Sequence, residues 1–252
     1  MVFSIAQWHQ RYMQQAQWSA SLRAYLYSRV GMRPSTKVLD VGCGTGVLEK
    51  ELDNRFRAPS VGLDIAISAL DFAQSYSRAS RFVAGDACSI PFASQSFDIT
   101  QCHFLLLWLK DVRQALCEMS RVTRSMGFVI ALSEPDYGGR IDYPNELVQL
   151  GTWQTQALQQ QGANPFIGRE LRALFHEAGL INIETGVMGG QWAKTEPKSE
   201  FGLEWDVVCS DLSNNSTFIQ QADQLKQIDQ HSRDAGQRIL FIPTFYAIGQ
   251  VS

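Results

Sequence analysis

The stretch KVLDVGCGTGVLEKEL, residues 37 to 52, constrains this chain more than any other: a strand-like apolar run passes through glycines at 42, 44 and 46 straight into helical spacing. A strand joined to a helix by a glycine turn is the opening unit of a parallel sheet. Four further runs continue the pattern. SVGLDI (60–65), RFVAGD (81–86), SFDITQCHF (96–104) and GFVIALSEP (127–135) each read as a short strand ending in a polar residue. Helical stretches lie between them, the clearest carrying Val112, Ala115, Leu116, Met119 and Val122 on one face. This alternation predicts an α/β fold, a mostly parallel sheet with helices on both faces.

Beyond that block, ELRALFHEAGL (170–180) places Leu171, Leu174, Phe175 and Ala178 on one stripe and leads into INIETGVM (181–188). RILFIPTFYAIGQ (238–250) is apolar on both alternating faces, as a strand inside a sheet is. Residues 4–30, glutamine-rich and aromatic, predict one or two helices stopped at Gly31 and Pro34. Residues 189–236 are polar and read as an inserted helical lid. The expected organisation is therefore a single domain over 1–252: an N-terminal helical cap (1–33), a core (34–188 and 237–252) and the lid (189–236).

A chain of 252 residues that is 45% hydrophobic can bury a full core. Its net charge of −3, with no Lys/Arg block, removes the electrostatic footprint of nucleic-acid or anionic-membrane binding. The five cysteines (Cys43, Cys88, Cys102, Cys117, Cys209) are scattered without a C-x-x-C, and the four histidines lie far apart, so neither a disulfide framework nor a metal site is expected. The N-terminus lacks a basic start followed by an apolar core, and no run of about 18 apolar residues occurs. The expectation is a cytoplasmic protein with no membrane insertion and a small-molecule partner.

In doubly wound sheets ligands bind beyond the carboxyl ends of the strands. A nicotinamide or flavin turn wants G-x-G-x-x-G, and Val47 stands where the third glycine belongs. No lysine closely follows the last glycine, so a phosphate cradle is also disfavoured. Bare backbone at Gly42 and Gly44 lets a ligand lie flat, and Asp40 just before them offers an acceptor to a cation. Asp64, eighteen residues after Gly46, can accept from both hydroxyls of a ribose. Asp86 can accept from an exocyclic amine while Ile65 flanks the ring. Plainer roles stand beside these: Asp40 as a turn cap, Asp86 bonded to its own backbone, and Cys43, Cys88 and Cys102 as small fillers.

VLDVGCGTG, VGLDIA, GDACSIPF and the long stretch FDITQCHFLLLWLKDVRQALCEMSRVTRSMGFVIALSEPDYGG follow one another in the order of a known motif series. On these residues the chain resembles the class I S-adenosylmethionine-dependent methyltransferases over about residues 36–140, with FYAIGQ similar to the family's closing strand. Within the family it looks like the small-molecule, methyltransferase type 11 subgroup of quinone biosynthesis. The resemblance implies a Rossmann-like seven-stranded sheet whose last strand is antiparallel and inserted beside the fifth. It implies S-adenosylmethionine as cofactor, S-adenosylhomocysteine as product, and a small apolar or aromatic metabolite as methyl acceptor.

By motif position, Gly42 and Gly44 would pack against the methionine part, Asp64 would bind the ribose, and Asp86 with Ala87 would hold the adenine. His103 would line the sulfonium end through its backbone, and Arg11 would pair with the methionine carboxylate. If a base is needed, His103, Glu134 and Tyr137 are the candidates. Glu134 and Asp136 are equally explained as loop residues, with Arg140 as partner. The aromatics Trp153, Phe166, Trp192 and Trp205 are expected within the lid. A protein methyltransferase, or a regulatory protein binding the cofactor without turnover, also remains compatible with these residues.

Overall fold

The structure is a computed structural model and describes residues 3–189 and 198–252, with 198–200 as backbone only. Strands β1 (Val38–Val41), β2 (Ser60–Asp64), β3 (Arg81–Ala84), β4 (Phe97–Cys102) and β5 (Thr123–Pro135) pair in parallel in the spatial order β3-β2-β1-β4-β5. β9 (Thr244–Gln250) enters between β5 and β7 (Ile181–Met188) and runs antiparallel to both. The seven-stranded sheet with an inserted antiparallel last strand is thus present.

Alternation along the strands divides the apolar side chains between two cores. Val129 and Ala131 of β5 meet α5 (Val112–Val122) and α7 (Ile167–Glu177) on one face. Ile130 and Leu132 meet α2 (Ala20–Arg29) and α3 (Val47–Phe56) on the other. The α5 stripe of Ala115, Leu116, Met119 and Val122 is buried as the spacing predicts. Asp111 starts that helix by accepting the Gln114 N–H at 2.8 Å.

Three features depart from the expected organisation. First, the N-terminal cap is divided. α1 (Ile5–Trp18), started by a Ser4/Gln7 capping box, lies over the glycine turn, whereas Leu26 and Tyr27 of α2 are fully buried against Leu48 and Leu52. Second, residues 238–250 form two strands rather than one. β8 (Ile239–Phe241) pairs with β6 (Ile141–Tyr143) in a separate ribbon, and only β9 joins the main sheet. Pro243 lies between them and has no N–H to carry a ladder onward.

Third, the helices expected to form a lid pack with a second part of the chain. α6 (Val148–Gln160) buries Leu150 and Ala157 with Trp205 and Leu212 of the segment around α8 (Lys198–Asp211), and with Phe218 and Leu225 of α9 (Ser216–Asp234). Its apolar stripe therefore faces these helices and not the sheet. Trp153 and Trp205 belong to this third core as expected, but Phe166 starts α7 beside Gly138 and Arg169. Trp192 lies outside the described residues. Buried ion pairs tie this unit to the β6–β8 ribbon: Arg140 holds Asp142 at 2.6 Å, and Arg238 bridges Asp142 at 2.7 Å and Asp229 at 2.5 Å. Trp205 Nε1 donates to Asp229 at 2.7 Å.

Candidate functional site

The carboxyl ends of β1, β2 and β3 open on one cleft, and its walls include Gly42, Asp64, Ile65, Asp86, Ala87 and Leu105. Gly42 and Gly44 have φ of 75° and 53°, which L side chains rarely adopt. A Cβ at Gly42 would stand 2.7 Å from Leu105 Cδ1, and one at Gly44 would stand 3.0 Å from Tyr12 Cε2. Both the turn and the close approach therefore demand bare backbone. Asp64 braces the turn: Oδ2 accepts the Gly44 N–H and Oδ1 the Ala66 N–H, each at 2.8 Å. A carboxylate has about four lone-pair positions, so Asp64 keeps capacity for further donors.

At the next strand end Asp86 does bond its own loop, with Oδ1 accepting the Cys88 N–H at 2.8 Å. The side chain is nonetheless exposed on the cleft wall beside buried Ala87. Ile65 stands 75% exposed on the same rim, an apolar surface next to two acids. The residues expected to hold ribose, ring and amine are thus gathered in one place. Their chemistry fits S-adenosylmethionine: a turn that any Cβ would block, a braced carboxylate with spare acceptors, and an apolar rim.

Asp40 departs from its expected role. Alternation along β1 turns it to the face it shares with Val38, toward α3, where it is 2% exposed and accepts from Gln101 Nε2 at 3.3 Å. Its neighbour there is Glu49, fully buried, whose two oxygens have no hydrogen-bond donor among the described residues. Two buried carboxyls meet favourably only by sharing a proton, and burial raises both above the usual carboxylate range. Asp40 is an acid paired beneath the turn, not an acceptor facing the cleft.

His103 follows β4, and its Nε2 lies 2.8 Å from Ser19 Oγ. Ser19 Oγ in turn accepts from Arg23 Nη1 at 2.6 Å. Burial, with Arg23 adding to it, lowers His103 to about 3. Its ring is a neutral wall with one nitrogen already engaged. Glu134, fully buried at the end of β5, accepts the backbone N–H groups of Leu105 and Leu106 at 3.0 Å and of Leu107 at 3.4 Å. It holds the loop that carries Leu105 and is pushed up to about 7 by burial, the three N–H bonds opposing. Asp136 is bound by Arg169, not by Arg140.

Tyr137, in a short 3-10 turn after β5, is raised above the ordinary phenol range by burial. Arg11 opposes that shift, Asp211 adds to it, and Arg140 opposes it further. Arg11 itself lies toward this side: the charges it senses are Tyr137, Glu204 and Asp211. Among the described residues Arg11 hydrogen-bonds Gln14 and not the glycine turn, the place expected of a partner for a ligand there. Its neighbour Tyr12 occupies that place, with its ring over Gly44 and its hydroxyl sensing Asp64.

Sequence reasoning missed Tyr12, together with His9, whose Nδ1 lies 2.8 Å from Thr45 Oγ1 and fastens α1 to the turn. The available signal was the spacing of His9, Tyr12 and Ala16 along one helical face. Among the described residues no group of three His, Cys, Asp or Glu side chains is placed to hold a metal, and no helix is long and apolar enough to cross a membrane.

A family model described as "Methyltransferase domain" matches residues 39–131. Demethylmenaquinone methyltransferase of Staphylococcus aureus (strain JH9) is 31% identical over 178 residues, covering 61% of this chain and 71% of that protein. Demethylmenaquinone methyltransferase of Renibacterium salmoninarum is 34% identical over 125 residues, covering 46% of this chain and 49% of that protein. The chain spans about half or less of the length of the first curated relatives it matches. Among solved structures, a geranyl diphosphate methyltransferase in complex with SAM superposes with a TM-score of 0.59 at 14% identity, covering 93% of this chain and 85% of that one.

Proposed function

The chain belongs to the class I S-adenosylmethionine-dependent methyltransferases of the quinone-biosynthesis-like type, and from that premise we propose that it transfers a methyl group from S-adenosylmethionine to a small, apolar or aromatic metabolite. The observation that carries this reading is the cleft in which Gly42, Asp64, Ile65, Asp86 and Ala87 converge. When bound, the cofactor supplies a methyl group already activated on a sulfonium.

The protein's tasks are then to align the acceptor and to exclude water. Asp64 accepts from ribose hydroxyls while its other lone pairs hold the turn, and Asp86 with Ala87 borders the adenine. Tyr12 and α1 cover the methionine end. His103 acts as a wall, because its lowered pKa leaves it a weak base. Glu134 is committed to three backbone N–H groups. The Tyr137 hydroxyl has no hydrogen-bond partner among the described residues, but burial raises it and keeps it protonated, so acceptors that ionise readily suit the site best.

The apolar third core built on α6, Trp205 and Phe218 supports a small-molecule acceptor over a protein side chain. Titration with S-adenosylhomocysteine and labelled methyl transfer to a panel of phenols, amines and acids test the proposal. Binding and turnover are expected. Binding without turnover on any acceptor would favour a regulatory protein, and absence of binding would overturn the cofactor assignment.

A further inference from the structure

Arg11 has no carboxylate within ion-pair distance among the described residues, although it is partly withdrawn from water. Its Nη1 donates to Gln14 Oε1 at 2.8 Å, and its Cζ lies 4.6 Å from the centre of the Trp18 ring. A guanidinium has about five N–H donors, so most of its capacity is unused. Gln14 is 6% exposed, and its Nε2 has no hydrogen-bond partner among the described residues. The amide cannot be turned over to repair this, since its nitrogen would then face the Arg11 N–H. Two side chains three residues apart on α1 thus set unused donors side by side. The Gln14 amide nitrogen is a buried donor of the kind rarely left unsatisfied, and Arg11, partly exposed beside it, keeps N–H donors available to a ligand.

The neighbouring acids are already engaged. Asp211 accepts from Gln154 Nε2 at 2.9 Å and is also bonded by Gln161. Glu204 is held by Arg233 at 2.8 Å, and Asp142 neutralises Arg140. The donor pair also lies on the acceptor side. Tyr12 senses Asp64 at the ribose end, whereas Arg11 senses Tyr137 at the end of β5 and two acids of α8.

We propose that Arg11 and Gln14 form a carboxylate-binding subsite for the methyl acceptor, the guanidinium taking one oxygen and Gln14 Nε2 the other. This rests on the methyltransferase reading and narrows it: the acceptor carries a carboxylate beside its apolar body. The same chemistry could be met by the methionine carboxylate of the cofactor, and the test separates the two sources.

The test loads the protein with S-adenosylhomocysteine and titrates benzoate, 4-hydroxybenzoate and cinnamate, each against its primary amide, by calorimetry. Wild type is expected to bind acids about tenfold or more tightly than amides, as charge-assisted pairing requires. Arg11→Gln is expected to erase the preference, Arg11→Lys to keep part of it, and Gln14→Leu to weaken the acids several-fold, with S-adenosylhomocysteine affinity unchanged in all three. Equal binding of acid and amide by the wild type, or binding of neither, overturns the subsite and leaves the methyltransferase reading standing. A tenfold loss of S-adenosylhomocysteine affinity in Arg11→Gln assigns the guanidinium to the cofactor and also overturns it. Failure of the wild type to bind S-adenosylhomocysteine defeats the earlier reading instead.

Discussion

Asp64→Asn preserves the shape of the side chain and removes its charge, and the structure sets the size of both consequences. The two oxygens of Asp64 hold the Gly44 and Ala66 N–H groups at 2.8 Å each. An amide can accept only one of these, and its NH2 meets the other head on. One net hydrogen bond is worth about 1 kcal/mol, which in a domain of this size lowers Tm by about 2–4 °C. Ribose hydroxyls donating to a carboxylate contribute about 1.5–3 kcal/mol, so S-adenosylhomocysteine affinity should fall about 10- to 150-fold. Calorimetric titration and thermal denaturation of the same samples read both effects. A fall in Tm with Kd held within about twofold (~0.4 kcal/mol) would refute the reasoning, since Asp64 would then be a turn residue and nothing more.

Gly44→Ala forces a side chain into a φ of 53° and against Tyr12, at a strain of about 1–2 kcal/mol, and should lower both Tm and S-adenosylhomocysteine affinity. Asp142→Ala strips a shared carboxylate from the buried Arg140 and Arg238, and should cost about 3–5 kcal/mol in denaturant unfolding. His103, lowered to about 3 by burial, should show neutral-imidazole nitrogen shifts down to about pH 5, and a midpoint at its ordinary 6.5 would place the ring in water. Glu134 is raised from 4.5 to about 7, so its contribution to stability is full below pH 4.5 and is lost as pH rises through about 7. Glu134→Gln should flatten that part of the stability–pH curve, as read by urea unfolding at about pH 5 and about pH 8.

Local pattern alone settles the sheet and much of the cleft. Strand periodicity and the polar residue closing each strand are short-range features, and a parallel sheet carries all such ends to one edge. Asp64, Ile65, Asp86 and Ala87 therefore converge wherever the helices lie. Even the turn of Asp40 toward α3 was readable from its parity with Val38, but the buried Glu49 it meets there was not.

Long-range packing decides the rest. α6 carries an apolar stripe that would serve a sheet or a lid equally, and only Trp205, Leu212 and Phe218 show which partner it takes. Arg11 and Tyr12 are adjacent in the chain and about 100° apart around a helix, so the docking of α1 through His9 and Thr45 sends one toward the lid and the other over Gly44. Sequence spacing records which residues share a helical face. What that face meets depends on groups dozens of residues away, and those contacts give Arg11 and Tyr12 different neighbours.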